Sequence, residues 1–176
     1  TVPLGMEEKL RVNSARVCER IRGEGHGAGC PMRRGQLALQ RDTYLDTAAG
    51  SLYPSGASLR LREKEGRYVL TMKTPVEETR VRTEDEAFLT AAEAGHALQG
   101  DLHLIDCDIA MAAIEYVGGA ELRPVLLASN QRETWTVAGA VGSMQMCFDW
   151  VHYSDLTGQQ EDHSAEEYEL ELELQQ

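Results

Sequence analysis

Charged side chains in this sequence recur at every second position, with leucines and other apolar residues between them. That period leaves room for little except β-strands with one apolar and one charged face. In residues 58–75, SLRLREKEGRYVLTMKTP, Arg60 and Arg62 alternate with Leu59 and Leu61. Lys73 follows Met72 on a second run whose other apolar members are Tyr68 and Leu70. Successive side chains of a strand point to opposite faces. The two arginines therefore share one face and the two leucines the other, and Glu65-Gly66 is the turn of a hairpin between the runs.

Both ends of the chain repeat the pattern. In Met6-Glu7-Glu8-Lys9-Leu10-Arg11-Val12, Glu7, Lys9 and Arg11 fall on one face, while Met6, Leu10 and Val12 fall on the other with Glu8. Tyr168-Glu169-Leu170-Glu171-Leu172-Glu173-Leu174 sets three carboxylates strictly against leucines. Glutamates two apart on a strand face sit roughly 7 Å from each other, a destabilising row unless cations stand opposite. One segment supplies anions, another cations and a third both, so they read as strands of one sheet.

Between these segments, Asn13 or Ser14 is placed to cap a helix through Val17 to Ile21, ending in the glycine-rich stretch 23–29. That stretch lacks the GxxxxGK pattern and follows no strand into a helix, which argues against a phosphate loop. A strand is expected over 36–46 and a loop over 48–56. Residues 79–86 read as a further charged strand, although Thr83 and Glu86 also fit a capping box. Helices are predicted over 87–98 and 102–116, then strands near 121–127, 131–138 and 143–153, and last the glutamate strand. Hairpin-linked strands with helices inserted after the first strand and midway give an α+β fold, an eight-stranded antiparallel barrel-like sheet with flanking helices. Its charged faces either line a wide, hydrated lumen or form the solvent side of a one-sided sheet.

The 176 residues suit one domain, and a hydrophobic content of 42% is ordinary for a globular protein. No apolar run approaches the ~18 residues of a membrane span. TVPLG ahead of Met6 reads as a remnant of cloning. A net charge of −12 disfavours nucleic acid and anionic membrane as partners. At least nine of the 17 basic residues nevertheless fall in predicted strands, which points to a local anion site. Cys18, Cys30, Cys107 and Cys147 show no CxxC spacing and fit free thiols in a reducing cytoplasm, ahead of a metal cluster with His26. The five histidines are read as surface or structural groups.

The set Glu7-x-Lys9, Tyr44-Leu-Asp46-Thr47, Leu59-Arg-Leu-Arg62, Leu70-Thr-Met-Lys73, Arg82-x-Glu84-x-Glu86, Arg132, Asp149 and the glutamate strand, in this order, resembles the CYTH family, the triphosphate tunnel metalloenzymes. The resemblance spans nearly the whole chain and implies a single domain over 1–176 built as an eight-stranded tunnel. It implies that Lys9, Arg60, Arg62, Lys73 and Arg132 hold phosphate oxygens, with Arg82 a weaker contributor. Mg²⁺ or Mn²⁺ would be held by Glu7, Glu169 and Glu171, supported by Asp149, Glu84, Glu86 and Glu173. Water activated by the metal would attack the terminal phosphorus, with Glu7 and Lys9 at the reacting centre and Lys9 stabilising the leaving pyrophosphate. Arginine's planar fork matches phosphate, and Mg²⁺ takes hard oxygen ligands. Where the family opens with ExExK, Gly5 stands in place of the first glutamate.

The function so implied is metal-dependent hydrolysis of inorganic triphosphate or a small organic triphosphate, by a monomer or homodimer. A class IV adenylate cyclase or a thiamine triphosphatase would use the same clamp. Gly5 motivates an alternative from another class, a non-catalytic triphosphate- or polyphosphate-binding module.

Overall fold

The structure, a computed structural model, describes residues 7–12, 14–27, 29–76, 82–139, 142–158 and 164–175. The side chains of residues 7–9, 26, 27, 174 and 175 lie outside that description, as do Gly5 and Arg80. The elements are β1 (Glu7–Val12), α1 (Ala15–Glu24), β2 (His26–Gly27), β3 (Cys30–Asp46), β4 (Ser58–Lys64), β5 (Arg67–Pro75), β6 (Arg82–Leu89), α2 (Ala91–Gln99), α3 (Asp108–Tyr116), β7 (Arg123–Gly139), β8 (Gly142–Asp155) and β9 (Ser164–Gln175). Leaving aside the short β2, which pairs with β3, eight strands follow one hydrogen-bonded order, β1-β9-β8-β7-β3-β4-β5-β6. Every pairing whose register is described is antiparallel.

The chain divides into two compact units, and β3, β7 and β8 each contribute residues to both. The first comprises residues 1–39, 129–152 and 165–176. Its apolar sheet face, with Val137, Met146, Phe148 and Leu170, is buried together with Cys18 of α1. Ser14 is the N-cap of α1, and Gly25 ends it in the left-handed conformation. At Gly35 a Cβ would stand 2.9 Å from the carbonyl oxygen of Thr134, so the close approach of β3 to β7 excludes any side chain there.

The second unit comprises residues 40–128 and 153–164. Its hairpin turns at Glu65 (φ 51) and Gly66 (φ 72), two left-handed residues in a two-residue loop, as a type I′ turn requires. That turn sets the pairing of β4 with β5, in which Leu59 faces Met72 and Leu61 faces Leu70. All four are buried with Ala94 and Ala97 of α2 and Ile109, Ala110 and Ala113 of α3. Burial of each leucine contributes about 2 kcal/mol.

Element boundaries depart from the sequence reading in several places, the strand expected over 36–46 beginning already at Cys30 and the helix expected over 87–98 only at Ala91. Thr83 and Glu86 form no capping box, because β6 pairs with β5 continuously from Arg82 to Leu89. The box forms seven residues later, where Glu93 N donates to Thr90 Oγ1 (3.3 Å) and Thr90 N donates to Glu93 Oε2 (2.8 Å). The predicted 102–116 helix is a 3₁₀ turn, Leu102–Leu104, followed by α3 from Asp108. The strands expected at 121–127 and 131–138 are one 17-residue strand, β7. Among the described residues no helix is long and apolar enough to cross a membrane.

Candidate functional site

In the second unit, the face opposite the leucines gathers the expected cations. Register places Tyr44, Arg60, Thr71 and Glu86 in one cross-strand row, and Ser58, Lys73 and Glu84 in the next. Arg60 Nη2 donates to Thr71 Oγ1 (3.3 Å), which donates to Glu86 Oε1 (3.2 Å). Lys73 Nζ lies 3.0 Å from Glu84 Oε2. Arg62 grips Asp42 with both arms of its fork, Nε to Oδ1 and Nη2 to Oδ2, each at 2.8 Å. These bonds hold the Arg62 guanidinium protonated above its ordinary range.

The face is therefore not purely cationic: each cation-bearing row or pair also holds a carboxylate. Arg60 keeps an unmet demand, since its buried Nε has no hydrogen-bond partner among the described residues. Beside it lies a cavity of about 540 Å³ lined by Tyr44, Tyr53, Arg60, Lys73, Arg82 and Tyr153 among others. A buried guanidinium N–H at the edge of such a cavity suits an anionic oxygen.

The first unit carries Arg132, Asp149 and Glu171 on its charged face. Arg132 Nε and Nη2 donate to the two oxygens of Asp149 at 2.8 and 2.7 Å. Nη2 and Nη1 donate to Glu171 at 2.7 and 3.3 Å. Asn130 Nδ2 adds a bond to Asp149 Oδ1 at 3.0 Å. Asp149's side chain is only 1% exposed, Glu171's 12% and Arg132's 29%. Bonding to Asp149 above all raises the Arg132 pKa far beyond the ordinary guanidinium range.

Backbone register sets Lys9 opposite Glu171, Glu7 opposite Glu173 and Arg11 opposite Glu169. The side chains of Glu7 and Lys9 themselves lie outside the described residues. No group of three or more His, Cys, Asp or Glu able to hold a metal occurs among the described residues. The donor set still suits Mg²⁺ or Mn²⁺, because Asp149 and Glu171 bring hard oxygens to a single cation, and such metals commonly use one or two carboxylates plus phosphate and water.

Asp42 and Asn130 are site residues that sequence reasoning missed. The signal for Asp42 was its parity with Tyr44 in the 36–46 strand; its partner, 20 residues away, emerges only from strand register. Asp46, part of the sequence motif, instead accepts the backbone N–H groups of Thr47, Leu52 and Tyr53 and shapes the loop.

Residues 6–176 match the CYTH domain, and the chain belongs to that family. Over 107 residues it is 31% identical to YjbK of Bacillus subtilis (strain 168), a protein provisionally assigned as a triphosphatase. That match covers 58% of this chain and 52% of YjbK, so the chain spans about half the length of that relative. Among solved structures, a provisionally assigned adenylate cyclase from Bacillus halodurans superposes with a TM-score of 0.63 at 27% identity, covering 95% of this chain and 78% of that one. HpAC1 from Hippeastrum, provisionally an adenylyl cyclase and reported with a dominant triphosphatase activity, gives 0.66 at 19% identity, covering 98% and 80%. The latter likeness shows fold alone.

Proposed function

We propose that the chain is a metal-dependent triphosphatase, hydrolysing inorganic triphosphate or a small organic triphosphate by attack of water on the terminal phosphorus. The observation that carries this reading is Arg60, whose buried Nε has no hydrogen-bond partner among the described residues and which lines a cavity with Lys73 and Arg82. In this reading Arg60, Arg62, Lys73 and Arg132 hold phosphate oxygens, Arg82 assists, and Lys9 stabilises the leaving group. Glu171, Glu169 and Asp149, with Glu7, hold Mg²⁺ or Mn²⁺. The metal would supply charge neutralisation and a lowered pKa for the attacking water. Residues 1–176 act as one CYTH-like domain. A reducing, cytoplasmic setting fits the four free cysteines.

The tyrosines of the cavity favour an organic triphosphate as a second reading. Tyr44, Tyr53 and Tyr153 share its lining with Leu52 and Leu126, a surface for a planar head group next to the cations.

Phosphate release from a panel of triphosphates under Mg²⁺ and Mn²⁺ tests the proposal. Turnover is expected with at least one substrate and metal, and its loss in Glu171→Gln. Tight triphosphate binding without turnover under either metal overturns the enzyme reading in favour of a binding module. Arg60→Ala should weaken substrate affinity by about 1–3 kcal/mol, the worth of a charge-assisted hydrogen bond; unchanged affinity in a binding titration removes Arg60 from the site.

A further inference from the structure

We propose that Arg132 acts as a stand-in cation: it bridges Asp149 and Glu171 when no metal is present and yields them to a divalent ion, so that its availability to phosphate depends on metal occupancy. This rests on the functional reading above.

A guanidinium has five N–H donors. Arg132 makes four hydrogen bonds to these two carboxylates, which leaves one N–H, on Nη1, for anything else. In this arrangement it is a poor phosphate clamp. Its Nη2 stands 2.7 Å from an oxygen of each carboxylate, the relation of one cation to two bridging ligands. Asp149 is almost wholly buried and Glu171 nearly so, and two carboxylates this close repel unless a cation lies between them. Asn130 fixes the Oδ1 edge of Asp149, keeping the carboxylate in place for either occupant. The oxygens that Nη2 bridges are the hard ligands Mg²⁺ or Mn²⁺ would take. Arg132 and metal therefore compete for one pair of oxygens, and by linkage whatever draws Arg132 away strengthens metal binding there.

The sign is opposite to that of a residue that helps to build a metal site: its removal should tighten metal binding. Mn²⁺ alone, titrated into the parent protein and Arg132→Gln by calorimetry, should bind the variant about tenfold more tightly, within the usual range of coupled sites. Mn²⁺ should also raise the melting temperature of the variant more than that of the parent. Equal or weaker binding to Arg132→Gln overturns the inference alone. Absence of Mn²⁺ binding to both proteins overturns the inference together with the metal-dependent reading. Should Arg132→Gln fail to fold, Arg132→Lys is measured the same way, since an ammonium lacks the fork that spans both groups. Tighter Mn²⁺ binding than in the parent is again expected, and weaker binding overturns the proposal. Glu171→Gln should reduce Mn²⁺ affinity in either background.

Discussion

Arg62 and Asp42 show what a charged strand face requires of each residue on it. A carboxylate 7% exposed is tolerated because both its oxygens are engaged, by Arg62 and, at Oδ2, also by Gln40 (3.2 Å). Asp42→Asn keeps the volume but removes the charge, and breaking a half-buried pair of this kind should cost about 2 kcal/mol. Urea denaturation of the variant against the parent measures it; an unchanged midpoint means the pair is worth no more than an exposed one. At this scale the sequence showed which face each charge occupies, through simple parity. It could not show which carboxylate each cation meets, because Asp42 and Arg62 are joined by register between strands. Their pairing turns an apparently cationic face into a set of partly spoken-for donors.

Elements were legible in kind and less so in extent. The β6–α2 boundary moved because two capping boxes compete in sequence, and strand pairing along β6 decides for Thr90 and Glu93. Thr90→Ala should cost about 1 kcal/mol of unfolding stability. The Glu93 carboxyl accepts the Thr90 backbone N–H and hydroxyl, and these bonds hold its pKa below the ordinary carboxylate range. A lowered folded-state pKa contributes stability above the unfolded value, and that contribution is lost as pH falls through the folded one. Glu93→Gln should therefore melt below the parent at neutral pH, with the gap closing under acid; a gap that stays constant with pH assigns the effect to shape instead of charge. At Gly35 the constraint is the neighbouring backbone, which no periodicity reveals.

Across the whole molecule, an antiparallel sheet with inserted helices was legible from hairpin-linked alternation, and the family from motifs distributed along the chain; the neighbouring of β1 with β9 and of β3 with β7 joins strands far apart in sequence and was not. The net charge of −12 works at the same scale. On the proposed function a small triphosphate would meet the local cations, whereas an RNA with a 5′ triphosphate would also bring its backbone against an acidic protein. The small ligand should bind more tightly, and the difference should narrow as salt rises from about 0.05 M to about 0.5 M, where exposed charges are screened. Competition binding at the two salt concentrations checks this; RNA bound more tightly at low salt contradicts it.

The Glu65-Gly66 turn does not line the cavity beside Arg60, yet it determines which side of the hairpin carries the cations. A one-residue shift in a strand's register exchanges its faces. An inserted residue that shifted β4 or β5 would turn its leucines toward the place of its cations and bury those cations against α2 and α3. Substitutions in the loop that accept left-handed backbone should thus be mild, while changes of length should abolish folding and anion binding together. For this family member, tolerance to insertion at a bare surface turn becomes a measure of how strictly the charged side is encoded.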